Sequence, residues 1–179
     1  MKTKAAVLWG VGDKWQVEEV TLDPPYDLIT AGGSLHWMDW SAVLPRFAAA
    51  LEPGAFLAIV DRHEHEPPWR EAFKPVYRRY STNQDWRPYD LVQELESRGL
   101  FRKVGKWESD PVPFAQQVED YIEALHSMSG FARERMDQGA ASAFDGAARA
   151  ILLAHADTGG KLHMSIVGAI EWGTPLAGS

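Results

Sequence analysis

The sequence contains no cysteine. That excludes disulfides, thiolate zinc sites and thiol nucleophiles together, and it leaves the redox compartment open. Basic residues are outnumbered: 18 Lys and Arg stand against 25 Asp and Glu, for a net charge of −7. This argues against a nucleic-acid backbone as partner, because phosphate contacts need clustered Lys and Arg. No apolar run is long enough to span a bilayer. Met1-Lys2-Thr3-Lys4 opens onto a short apolar stretch, Ala5–Trp9, but Asp13 and Lys14 break it too early for a signal peptide. The expectation is a cytoplasmic protein that engages neither nucleic acid nor membrane. Internal repeats and low-complexity tracts are absent as well. What is there is 179 residues, 45% hydrophobic and 24% charged, enough for one globular domain with a real core.

Two short strands, Ala5–Trp9 and Gln16–Leu22, are predicted around turn chemistry at Gly10, Gly12 and Asp13. Asp23-Pro24-Pro25 stops that pattern. Tyr26–Ala31 reads as a strand ended by Gly32-Gly33. A helix over 45–51 follows, with Pro45 in its first turn and Pro53-Gly54 after its end. Ala55–Asp61 is apolar at successive positions, the mark of a parallel strand buried on both faces. The strand–helix–strand order predicts that 26–31 and 55–61 lie side by side and parallel.

Further on, Trp69, Phe73, Val76, Tyr77 and Tyr80 recur at helical spacing around Pro75. Arg87-Pro88 opens another helix, with a stripe at Leu91, Val92 and Leu95 and a C-cap at Gly99. Phe101–Trp107 is a predicted strand. Val118, Tyr121, Ile122 and Leu125 mark a helix between Pro113 and Gly130. Phe144, Ala147, Ala148, Ile151 and Leu152 mark the last helix, and His163–Trp172 closes the chain as a strand. This alternation argues for an α/β fold on a largely parallel sheet. Ligands of such sheets bind outside the carboxyl ends of the strands, which here means Ala31-Gly32-Gly33.

The stretch Tyr26-Asp27-Leu28-Ile29-Thr30-Ala31-Gly32-Gly33-Ser34-Leu35-His36-Trp37-Met38-Asp39 resembles the fourth-strand motif of class I S-adenosylmethionine-dependent methyltransferases. It is most similar to the branch of small-molecule and trans-aconitate methyltransferases. Leu51-Glu52-Pro53-Gly54-Ala55-Phe56-Leu57-Ala58-Ile59 resembles that family's next motif, a Pro-Gly turn leading into the fifth strand. The resemblance covers about residues 26–173. It implies a partial Rossmann-like sheet, strands four to seven, in a domain of residues 26–179. It implies S-adenosylmethionine as cofactor, Ala31, Gly32, Gly33, Leu35 and Trp37 as cofactor-side residues, and His36 as catalytic general base. A His-Trp pair simply packed on the next helix stands beside that reading.

The family's glycine-rich loop and ribose-binding acid should precede strand four. Only 25 residues do so here, too few for three parallel strands with crossover helices. Those residues, Met1 through Pro25, resemble instead the opening hairpin of zinc-dependent medium-chain alcohol dehydrogenases, whose cysteine ligands are missing. No dehydrogenase function follows. The implied chain is a joined one, a hairpin at 1–25 before a C-terminal methyltransferase half. Two functions remain open: a methyltransferase-family protein acting on a small molecule, or a non-catalytic remnant or split half that binds a partner chain. That partner is a second copy or a complementary N-terminal half. The hairpin strand Gln16–Leu22 is expected to pair antiparallel with strand 26–31, or to fold nearby and cover its edge.

Other features carry plainer readings. Gly10-Val11-Gly12 is a turn rather than a nucleotide loop. His63-Glu64-His65-Glu66 offers two metal ligands on one side and reads as a solvated loop, so no metal site is assigned. Trp69, Phe73, Tyr77 and Tyr80 are core or lid before they are a substrate pocket, and the same holds for Tyr121 and His126. Glu119, Asp120 and Glu123 read as a solvated helix face. Arg78-Arg79 is a lone basic pair.

Overall fold

A computed structural model describes residues 2–7, 16–21, 23–85, 87 and 89–177. Its elements run β1 (Lys2–Val7), β2 (Gln16–Thr21), β3 (Tyr26–Gly32), α1 (Trp40–Ala50), β4 (Leu51–Glu64), α2 (Arg70–Tyr80), α3 (Leu91–Ser97), β5 (Phe101–Glu108), β6 (Val112–Gln117), α4 (Val118–His126), α5 (Gln138–Leu153) and β7 (Lys161–Pro175). The fold is mixed α/β, with a five-stranded sheet in the order β3-β4-β7-β5 and β6 also paired to β7. The expected Gly10-Val11-Gly12 turn, with Trp9, Asp13, Trp15, Leu22 and Pro88, lies outside the described residues.

Residue contacts divide the chain into two compact units. The first holds Met1–Val60, Leu91–Lys106 and Glu171–Ser179; the second holds Asp61–Asp90 and Trp107–Ile170.

In the first unit β3 and β4 are parallel, with Ile29 opposite Leu57 and Ala31 opposite Ile59. That is the predicted pairing, and α1 is its crossover. The helix itself begins earlier than Pro45. Asp39 caps it, accepting from the amides of Ser41 at 3.0 Å and Ala42 at 3.3 Å. A satisfied first turn lets the helix start at Trp40 and leaves Pro45 inside it, at the cost of one backbone hydrogen bond. Gly99, at φ +66°, terminates α3 as expected, while the Leu100 amide returns to the Leu95 carbonyl at 3.0 Å. The core is aliphatic: Leu35, Leu44, Leu57 and Leu95 are fully buried beside Ala31, Ile59, Val92, Leu100 and Phe101.

Three expectations need correction here. Ala55–Asp61 is not buried on both faces: Leu57, Ala58 and Ile59 are buried, but Phe56 is 39% exposed and its register partner Leu28 48% exposed. α1 and α3 residues pack on the face carrying Ile29, Ala31, Leu57 and Ile59, while on the opposite face the small Ala58 is buried and Leu28 and Phe56 are exposed. Of the two arrangements expected for Gln16–Leu22, the pairing with β3 does not form. β2 pairs antiparallel with β1 in a separate two-stranded sheet, from Lys2 opposite Thr21 to Val7 opposite Gln16, and β3 ends its own sheet. The sheet is also not largely parallel. The Leu176 amide reaches the Leu100 carbonyl while the Ser109 amide reaches the Gly168 carbonyl, so β5 and β7 run in opposite directions.

In the second unit β6 pairs antiparallel with β7, from Val112 opposite Ile166 to Gln117 opposite Lys161. The core is aromatic: Trp69, Phe73 and Phe144 are fully buried with Tyr121, Ile122, Phe131, Leu152 and Leu162. Phe131 stacks on Phe144 at 5.1 Å, and Tyr80 meets Phe144 edge-on at 5.9 Å.

Candidate functional site

The loop after β3 carries the residues predicted to meet a cofactor. Ala31 is buried at the strand end. Gly32 and Gly33 are exposed, and a Cβ on either would meet nothing within 4 Å. Gly33 sits at φ +54°, and its amide donates to the Val60 carbonyl at 3.1 Å. The left-handed turn is what glycine permits there. A single 3-10 turn, Leu35–Trp37, follows. Leu35 turns into the core, and its carbonyl accepts from the Trp40 indole at 2.8 Å. Only its backbone can therefore face a ligand. His36 and Trp37 are exposed, their rings 4.8 Å apart, with Trp37 64% exposed. Trp37 is thus not packed under the next helix.

As a cofactor site this loop is partly furnished. Bare backbone at Gly32 and Gly33 suits close approach by a ligand, and the exposed rings offer apolar contact. A ribose needs a carboxylate acceptor, and the loop supplies none. Asp39, the next acid along the chain, is spent on Ser41 and Ala42, and those bonds hold its carboxyl below the ordinary value. The hollow of this unit, about 610 Å³, is lined by Met38, Asp39, Trp40, Ser41, Arg98, Leu100 and Ala177 rather than by the predicted residues.

The second unit holds a cavity of about 660 Å³ with richer chemistry. Glu64, at the end of β4, is half-buried on its wall. The Trp69 indole N–H donates to the Tyr121 hydroxyl at 3.0 Å, and that hydroxyl donates to Glu64 Oε2 at 2.9 Å. Burial raises the Glu64 carboxyl above its ordinary value; the Tyr121 hydroxyl and the Arg70 and Arg62 charges pull it partly back. Burial also raises the Tyr77 and Tyr121 phenols, reinforced by the Glu64 charge, so both hydroxyls stay protonated. His65 and Glu66 lie in an exposed bend, as expected of a solvated loop, but His63 and Glu64 complete β4, and Glu64 meets a tyrosine 57 residues away. Nothing in local spacing announces such a contact.

His126 is buried as a packing residue, as expected. Its Nδ1 lies 2.7 Å from the Phe131 carbonyl and its Nε2 2.6 Å from Asp145. Glu123 and Glu119 lie on an exposed face but are tied to Arg133 and Arg149. The Arg79 guanidinium lies over the Tyr80 ring at 5.2 Å. Among the described residues, no group of three or more His, Cys, Asp or Glu converges as a metal site, and no helix is long and apolar enough to cross a membrane.

No protein-family model matches the chain, and no curated protein sequence does. Solved structures give a likeness. A proposed type II methyltransferase from Anaeromyxobacter dehalogenans is 20% identical at TM-score 0.46, over 87% of this chain and 68% of that one. A proposed methyltransferase from Bacillus halodurans is 12% identical at TM-score 0.41, over 87% and 67%. A phosphoethanolamine N-methyltransferase from Haemonchus contortus, solved with S-adenosylhomocysteine, is 15% identical at TM-score 0.32, over 87% and 35%. Likenesses at this level do not fix what this chain binds.

Proposed function

We propose that the chain is a methyltransferase-type protein, with the loop after β3 as one edge of an S-adenosylmethionine site and a small molecule as methyl acceptor. The observation that carries this reading is the parallel β3–β4 pair, whose carboxyl end bears the open Gly32-Gly33 turn. It stands where the two sequence motifs would put it. When bound, the cofactor supplies an electrophilic methyl group. The chain's own part is positioning, since in-line transfer depends chiefly on holding the two reactants in line. Gly32 and Gly33 admit close approach, Trp37 offers an apolar face, and His36 stands exposed to take a proton from the acceptor.

Because the loop brings no ribose acceptor, the chain by itself holds the cofactor weakly. Calorimetric titration with S-adenosylmethionine tests this. The expected dissociation constant is near ~1 mM, weakened further by His36→Ala and Trp37→Ala. A micromolar constant would mean that a ribose carboxylate exists elsewhere in the chain. No heat at any concentration would remove the site altogether.

A second reading has its own support. β3 ends its sheet, and Leu28 and Phe56 expose apolar surface beside that edge. A bare, apolar sheet edge is ordinarily paired or covered. In this reading the chain pairs with a second copy or a complementary half that supplies the missing strands. Size-exclusion chromatography separates the readings: a strict monomer at high concentration argues against a second copy, and failure to capture a methyltransferase N-terminal half argues against the other.

A further inference from the structure

The cavity of the second unit has a direction built into it. An indole N–H can only donate, so the Tyr121 oxygen receives from Trp69 and spends its own hydrogen on Glu64. The relay ends on a carboxylate. Glu64 Oε2 takes that hydrogen, and an ionised carboxylate has acceptor sites on both oxygens, more than one hydroxyl fills. The surrounding surface is largely apolar: Phe73, Tyr77, Phe114, Leu125, Met128 and Ile166 line it. Phe114 and Met128 are each 42% exposed. Charges on the wall cancel, since Asp61 and Glu64 are matched by Arg62 and Arg70. Arg70 also donates to the Glu64 backbone carbonyl at 3.2 Å, which keeps one cation beside the carboxylate. A free cation gains little from a site so balanced, and an anion would face the carboxylate.

We propose that this cavity binds a neutral, mainly apolar small molecule carrying a hydroxyl group, phenol-like or alcoholic, whose O–H donates to Glu64. Tyr121 is a positioning residue that fixes the carboxylate from behind, and Trp69 fixes Tyr121. Such pockets, apolar with a few convergent polar groups, are the usual form of a small-molecule site. Burial has cost the Glu64 carboxylate part of its water, which raises its carboxyl above the ordinary value, and a ligand O–H would restore a donor to it. The inference needs no cofactor and stands apart from the methyl-transfer reading.

The test uses 4-ethylphenol as probe on the full chain, followed by amide-resolved NMR without S-adenosylmethionine. Saturable shifts are expected at Glu64, Tyr121 and Leu125. 4-Ethylanisole, in which a methyl group replaces the hydroxyl hydrogen and removes the donor, is expected to bind about tenfold more weakly. Glu64→Gln should cost 4-ethylphenol about tenfold and 4-ethylanisole little. Tyr121→Phe should cost 4-ethylphenol a smaller factor while leaving its contact residues the same. Equal binding of phenol and anisole overturns the proposal even if a variant fails to fold. So does tighter binding of 4-ethylbenzylammonium or 4-ethylbenzoate, which would make the site ionic, and so does absence of saturable shifts.

Discussion

The two units bury their residues in opposite styles. The first unit's core is aliphatic, and the buried residues named in it bring no side-chain polar group inside. The second unit's core is aromatic and carries polar ends with it: the Trp69 indole, the Tyr121 hydroxyl and the His126 ring. Each of these must then find a partner, because an unsatisfied buried polar group costs about 1–3 kcal/mol. The difference shows where fixed chemistry collects in this chain. The aliphatic unit positions backbone, at Gly32 and Gly33. The aromatic unit positions side chains, at Glu64.

The sharpest way to break this comparison is to empty the aromatic core. Phe144→Ala removes a ring stacked on Phe131 and edge-on to Tyr80 and His126. It is expected to cost about 4 kcal/mol in urea unfolding. In the first unit the comparable weak point is close backbone approach. A Cβ at Gly173 would collide with the Arg102 carbonyl and the Phe101 ring. Gly173→Ala should cost about 3 kcal/mol by the same measurement. Tyr121→Phe strands the buried Trp69 N–H and should cost about 2 kcal/mol. Asp39→Ala uncaps α1 and should lower the melting temperature by less than Tyr121→Phe does. Arg149→Ala, which breaks an exposed pair with Glu119, should leave the melting temperature unchanged within error.

Acid titration sharpens the contrast further. The Glu64 carboxyl is raised in the folded protein. Folded protein therefore holds that proton where unfolded chain has lost it. The stabilisation is complete below the unfolded value and is lost as pH rises through the folded one. Asp157 behaves oppositely. The His163 ring and the Lys161 and Gly159 amides hold its carboxyl down to about 2, so its contribution is present above the ordinary value and lost as pH falls through about 2. As pH falls from neutral through the raised Glu64 value, only the Glu64 effect operates of the two, and acidification should add stability through it. Glu64→Gln should abolish that increment in urea unfolding curves.

Local pattern made the first unit legible. Tyr26–Gly33 and Leu51–Ile59 show strand runs and glycine turns, and the parallel register between them follows from a short helical crossover. Gly99 ends its helix as a C-cap glycine should. Two things escaped for physical reasons. β6 has no apolar alternation, since nearly all of Val112–Gln117 is exposed, and Pro113 reads as a boundary. What makes β6 a strand is its partner β7, which lies far along the chain. The Glu64–Tyr121 contact is likewise a product of tertiary folding. The helix start at Trp40 was readable in principle, because Asp39 is a good N-cap, but Pro45 drew the boundary to itself.

The proposed cofactor edge is the loop after β3. Amide-resolved NMR with S-adenosylmethionine added to the full chain tests it most directly. The account predicts shifts at Ala31–Trp37 that approach saturation only near ~1 mM ligand, with Glu64 and Tyr121 unmoved. Shifts that leave Ala31–Trp37 untouched while moving the second unit's cavity would contradict it.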